Sequence, residues 1–125
     1  MIGTCTFCSK KFKYSPSQKT GKYCSTKCQR NEEQKIYIRE WLEGKIEGRI
    51  RGNYVSGYIR RYLLDESNHK CTQCGWSQVN PHIGNVPLEI DHIDGNRKNS
   101  KRENLRVLCP NCHSLTPTYR ALNIK

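Results

Sequence analysis

Long apolar runs are missing from this chain. No N-terminal stretch has the apolar core of a secretory signal, and no segment approaches the roughly 20 apolar residues of a membrane-spanning helix. Both absences predict a soluble, intracellular protein. Hydrophobic residues are also scarce, at 34% of 125, and a chain this short buries too little apolar surface to be comfortably stable on it alone. A core so thin calls for staples. Acidic residues are absent from the first 30 positions, which hold Lys10, Lys11, Lys13, Lys19, Lys22, Lys27 and Arg30.

Cysteine and positive charge are what the chain has in quantity. Its eight cysteines fall into four close pairs, 5/8, 24/28, 71/74 and 109/112. In a reducing compartment such pairs are metal ligands more often than disulfides, and two sites of four thiolates are the simplest arrangement. Four disulfides in a secreted protein are the alternative. The formal charge of +11 calls for a polyanionic partner, of which nucleic acid is the commonest. A four-thiolate zinc site carries a net charge of about −2, so two of them leave the chain at about +7, still basic.

Cys5-x2-Cys8 and Cys24-x3-Cys28 bracket 15 residues that include Phe12, Tyr14, Pro16 and Gly21. This predicts a zinc knuckle, a short basic hairpin and a second cysteine pair opening a helix near Ser25, all held by one zinc. With almost no core of its own, residues 1–30 would fold around the metal. From Asn31 to about Glu43, Ile38, Trp41 and Leu42 recur at helical spacing, which predicts an amphipathic helix with Trp41 as a packing residue. Gly44 and Gly48 end it, and residues 31–55 read as helix followed by basic linker. Ser56 then caps a second helix, with Tyr58, Ile59, Tyr62 and Leu63 on one face and Arg60 and Arg61 on the other. His69 and His82 lie in polar stretches and read as ordinary loop residues.

Leu88, Ile90 and His92 alternate with Glu89 and Asp91, the pattern of a half-buried strand ending at Asp94-Gly95-Asn96. After a polar loop, Asn104 opens a second short strand through Leu105, Val107 and Leu108. It runs into Cys109-Pro-Asn-Cys112 and a short helix bearing His113. The returning strand would bring Cys109 and Cys112 beside Cys71 and Cys74, across 34 intervening residues, to make a second tetrahedral zinc site. The bland alternatives are a solvated Asp91-His92 turn and His113 as a spare zinc ligand.

The constellation Asp91-His92, then Asn104-Leu105, then Cys109-x2-Cys112-His113 within paired knuckles resembles the HNH endonucleases, the ββα-metal family, in the cysteine-framed form common in bacteriophages. Residues 56–125 carry the resemblance. The first 30 residues are similar, less specifically, to the treble-clef-like zinc modules that precede some phage nucleases. The implied architecture is a small zinc-stapled α+β protein: residues 1–30 a zinc module, 31–55 helix and linker, 56–125 the ββα-metal nuclease domain. The resemblance makes His92 the general base, Asp91 and His113 ligands of a catalytic divalent metal (Mg²⁺ or Mn²⁺), and Asn104 the brace of the loop that holds the base. Two structural Zn²⁺ would sit on Cys5, Cys8, Cys24 and Cys28 and on Cys71, Cys74, Cys109 and Cys112.

These roles suit the residues, since a neutral imidazole accepts a proton from water near neutral pH and a two-ligand metal keeps most coordination positions open. The expected activity is hydrolysis of double-stranded DNA to 5′-phosphate and 3′-hydroxyl ends by a monomer or weak dimer away from any membrane. One site per chain favours nicking, and a homing role is implied only by the family. A zinc-dependent DNA-binding module on a degenerate nuclease fold is the rival. Adjacent strand residues point to opposite faces, so the shared use of Asp91 and His92 predicts a distortion at 91–93. Pro117 predicts that the helix bearing His113 is short.

Overall fold

Three two-stranded antiparallel ladders and three helices make up a small α+β protein, here in a computed structural model that describes residues 1–17, 21–50 and 54–119. Lys19, residues 51–53 of the expected linker and residues 120–125 lie outside the described residues. The chain divides into two compact units, Met1–Arg39 and Glu40–Lys125. Among the described residues no helix is long and apolar enough to cross a membrane.

In the first unit, β1 (Ile2–Thr4) pairs with β2 (Lys11–Lys13), so the Cys5–Cys8 knuckle forms the turn of the hairpin. The sequence pattern had pointed to a hairpin after this knuckle. The knuckle's own hydrogen bonds explain the difference: Cys5 N donates to Lys10 O at 2.8 Å and Ser9 N to Cys5 O at 2.9 Å, folding the chain back immediately. Thr6 N donates to Lys22 O at 2.8 Å, which brings the second cysteine pair alongside. Helix α1 (Thr26–Leu42) then begins, its Ser25 hydroxyl accepting from Cys28 N at 3.2 Å.

The second unit is built around Ile59, Leu63, Leu88, Leu105, Val107 and Leu108, all buried. Trp41 is buried as well, its ring edge-on to Tyr62 at 6.2 Å and its Nε1 donating to Ser100 O at 2.7 Å. Leu42, expected on the same face, is half exposed, because the helix ends there and the chain turns through Gly44. The stretch that read as a linker contains a minimal hairpin, β3 (Arg49–Ile50) on β4 (Tyr54–Val55). Gly48 enters it at φ +80° and lies so close under Trp41 and Ile59 that an added Cβ would come within 2.3 Å of Ile59 Cδ1.

Ser56 caps α2 (Gly57–Glu66), its hydroxyl accepting from Ile59 N at 3.3 Å, and Ile59 and Leu63 form the buried stripe that the spacing predicts. Arg60 does not simply face solvent. Its Nη2 donates to Leu88 O at 3.0 Å, tying α2 to the start of the next strand. β5 (Glu89–His92) pairs with β6 (Leu105–Leu108) in the register Glu89↔Leu108 through His92↔Leu105. A 3-10 turn, Arg102–Asn104, leads into β6, and α3 (Pro110–Ser114) follows it. Pro110 stands at the first turn of α3, where its missing N–H costs nothing, and the helix stops before Pro117.

Candidate active site and metal centres

The two cysteine quartets assemble as their spacing predicts. Within each, Cys5-Cys8-Cys24-Cys28 and Cys71-Cys74-Cys109-Cys112, all sulfurs lie within 4.8 Å of one another. Neighbouring sulfurs stand 3.6 Å apart for Cys8–Cys24 and Cys24–Cys28 and 3.7 Å for Cys74–Cys109. That is far too long for a disulfide and close to the roughly 3.8 Å edge of a tetrahedron of sulfurs about 2.3 Å from one zinc. The charges agree. Burial works against a thiolate at Cys71, but backbone N–H donors at Cys109, Cys74 and Gln73 outweigh it and bring the thiol down to about 6. Burial and the neighbouring sulfurs of Cys74, Cys109 and Cys71 push Cys112 up to about 12. Four such sulfurs can be thiolate together only around a cation.

The second quartet is stitched to the sheet. Thr72 N and Oγ1 both donate to Val107 O, at 2.9 and 2.8 Å, which seats the Cys71–Cys74 knuckle on β6. At the far end of β6, Cys109 caps α3, its Sγ accepting from Cys112 N at 3.4 Å, and His113 N bonds Cys109 O at 2.9 Å. A zinc on these four sulfurs would therefore also fix the helical turn that carries His113.

His113 and Asp91 meet. His113 Nε2 lies 3.5 Å from Asp91 Oδ1, close enough for both atoms to reach one small cation about 2.1 Å from each. Glu89 Oε2 is hydrogen-bonded to His113 Nδ1, which leaves Nε2 as the nitrogen facing Asp91. Asp91 is the most buried residue of β5, 4% exposed, although the alternation had placed it on the polar face. Two partners account for this: His113 on one side, and Arg106, directly across the ladder, whose Nε donates to Asp91 Oδ2 at 2.7 Å. The donor set, one carboxylate oxygen and one oriented imidazole nitrogen, fits a divalent cation that keeps other positions for water and phosphate.

Asn104, 7% exposed, holds the loop that follows β5. Its Oδ1 accepts from Asp94 N at 3.0 Å, and its Nδ2 donates to Asp94 Oδ1 at 2.9 Å and to Asn99 O at 2.8 Å. Its backbone carbonyl accepts from Ile93 N at 2.8 Å. Asn99 Nδ2, the Asn96 backbone N–H and Asn104 all donate to the Asp94 carboxylate, holding it below the ordinary carboxylate range. The chain between β5 and β6 is thus tied to one buried amide.

His92 ends β5 in regular register with Leu105, and the turn begins at Ile93 with Gly95 N on His92 O at 2.8 Å. No distortion interrupts the ladder at 91–92. Asp91 and His92 consequently stand on opposite faces of the pleat, and the distortion expected at 91–93 is not there: the strand is regular through His92 and passes directly into a turn. Burial lowers the pKa of His92, with Arg97 adding to the effect, and outweighs the carboxylates of Asp91 and Asp94. The imidazole is therefore neutral at neutral pH. Its Nε2 is buried without a hydrogen-bond partner among the described residues.

Residues 71–116, which carry the second cysteine quartet together with Asp91, His92, Asn104 and His113, match the HNH endonuclease family. The chain is similar to the H-N-H endonuclease F-TflIV of Escherichia phage T5, 48% identical over 56 residues that cover 45% of this chain and 24% of that relative. It thus spans only about a quarter of the relative's length. No solved structure matches the chain.

Two residues of the stretch that matches this family carry contacts with no earlier place in the site. Glu89 and Arg106 each bind the far side of an expected ligand. The signal for Glu89 was the period of two, which puts it on the same face as Asp91. Arg106 had none, because its place opposite Asp91 depends on the strand register. His69 and His82 are exposed and stay apart from this cluster, His69 bonding Asp65 Oδ1 at 3.1 Å and the His82 amide bonding Asn80 Oδ1 at 2.8 Å.

Proposed function

We propose that the chain is a metal-dependent endonuclease that hydrolyses phosphodiester bonds of double-stranded DNA. The reading rests on one observation above the others: within the stretch that matches the HNH endonuclease family, Asp91 Oδ1 and an oriented His113 Nε2 face each other at 3.5 Å. The elements β5, β6 and α3 correspond to the ββα-metal unit. His92, kept neutral by burial, would take the proton from the attacking water once its side chain turns to the face that Asp91 and His113 share. Asn104 is the positioning residue that keeps the 93–99 loop, and with it His92, in place. Asp91 and His113 would hold Mg²⁺ or Mn²⁺, which supplies charge stabilisation to the pentacoordinate phosphate and the leaving oxygen. Structural zinc on each cysteine quartet would hold the scaffold, and the acid-free first 30 residues would bring positive charge to the DNA backbone.

Cleavage on this scheme leaves 5′-phosphate and 3′-hydroxyl ends. With one site per chain, a monomer nicks, and a double-strand break needs a dimer or two successive events. The protein would act in the cytoplasm of a phage-infected cell, in a homing or related mobile-element role. The test is relaxation of supercoiled plasmid by purified protein with Mg²⁺ or Mn²⁺, comparing wild type with His92→Ala. Metal-dependent nicking by wild type and its loss in the variant support the proposal. No cleavage by wild type with any divalent cation refutes it and leaves a zinc-dependent DNA-binding module.

A further inference from the structure

Arg106 reaches a carboxylate that the sheet itself presents to it. The two residues are direct partners in the β5–β6 ladder, so their contact follows from strand register and not from a loop. Arg106 Nε donates to Asp91 Oδ2 at 2.7 Å, a charge-assisted bond, and Asp91 is too buried to exchange that partner freely for water. On the other side Asp91 Oδ1 faces His113 Nε2, while His113 Nδ1 is taken by Glu89. One oxygen of Asp91 is therefore committed and the other is offered.

We propose that Arg106 is a positioning residue that makes Asp91 a one-oxygen ligand and thereby sets the cation preference of the site. The inference rests on the reading of Asp91 and His113 as ligands of the catalytic metal. A carboxylate limited to one oxygen suits small octahedral cations such as Mg²⁺ and Mn²⁺. Ca²⁺, with 6–8 oxygen ligands at longer distances, gains from carboxylates that chelate with both. Releasing Oδ2 should favour Ca²⁺ selectively, whereas merely removing a nearby positive charge should favour every divalent cation alike.

The experiment is Mn²⁺ binding to the full-length, zinc-loaded protein by electron paramagnetic resonance, with Mg²⁺ and Ca²⁺ as competitors. Wild type, Arg106→Gln, Arg106→Lys and Asp91→Asn are compared after zinc content and circular dichroism show the same fold. Arg106→Gln is expected to raise Ca²⁺ affinity relative to Mn²⁺ about tenfold, the lower range of effects for residues that orient metal ligands. Arg106→Lys keeps the charge but not the fixed fork, so a smaller rise in the same direction is expected. It carries the test alone if the glutamine variant does not fold. Equal gains for all three cations, or unshifted ratios, overturn the inference while the ligand reading stands, provided Asp91→Asn abolishes Mn²⁺ binding. Wild-type Mn²⁺ affinity in Asp91→Asn overturns the ligand reading and this inference together.

Discussion

Replacing Asn104 by alanine removes three side-chain hydrogen bonds from one buried position. Two of them go to backbone, the Asp94 N–H and the Asn99 carbonyl, and a protein hydrogen bond contributes about 1 kcal/mol net. The third goes to the exposed Asp94 carboxylate, which water can satisfy instead, so it adds little. The loop should loosen by about 2 kcal/mol, a fall of roughly 30-fold in the ratio of held to released loop and of at most that in the fraction holding His92 in place. We expect Asn104→Ala to nick supercoiled plasmid up to about 30-fold more slowly, with DNA affinity by fluorescence anisotropy changed less than about threefold, because the amide touches only the 94–99 loop. Asn104→Asp should be worse than alanine, since it sets a second carboxylate 2.9 Å or so from Asp94 Oδ1. Equal losses of rate and affinity in Asn104→Ala, or a more active aspartate variant, would refute the bracing role.

Two further expectations follow from packing and metal. Gly48→Ala should lower stability by about 3 kcal/mol in chemical denaturation, because a Cβ there meets Ile59 and Trp41 at positive φ; Gly44→Ala, equally positive in φ but with nothing within 4 Å, should cost only about 1 kcal/mol. Elemental analysis should find two tightly held zinc ions per chain, and stripping them with a strong chelator should unfold both units; one ion, or a native far-ultraviolet spectrum after stripping, would count against the second quartet or against its structural role.

Much of the site was legible in the chain because its signals are local. Cysteine spacing announces knuckles whatever surrounds them, and both quartets close as expected. Ser56 before an i, i+3, i+4 stripe announces α2, and Pro110 and Pro117 bound the short α3. Asn104 was readable only through resemblance, and its hydrogen bonds to residues 94 and 99 have no signature in composition. Trp41 could be read as packing but not as the donor to Ser100, 59 residues away.

The opposite case is Asp91. Alternation placed it outward with Glu89, yet it is buried, because burial of a carboxylate depends on who stands across the ladder and on the next helix. Sequence by itself determined the donors: eight thiols in four pairs, one carboxylate beside one imidazole, a second imidazole after the last knuckle, and charge enough for a polyanion. Only the tertiary structure decided their geometry. Antiparallel register set Arg106 against Asp91 and placed His92 on the other face, and the turn of α3 carried His113 back between Glu89 and Asp91. Residue type decides which atoms can act, whereas strand register and helix placement act over tens of residues and decide which of them meet.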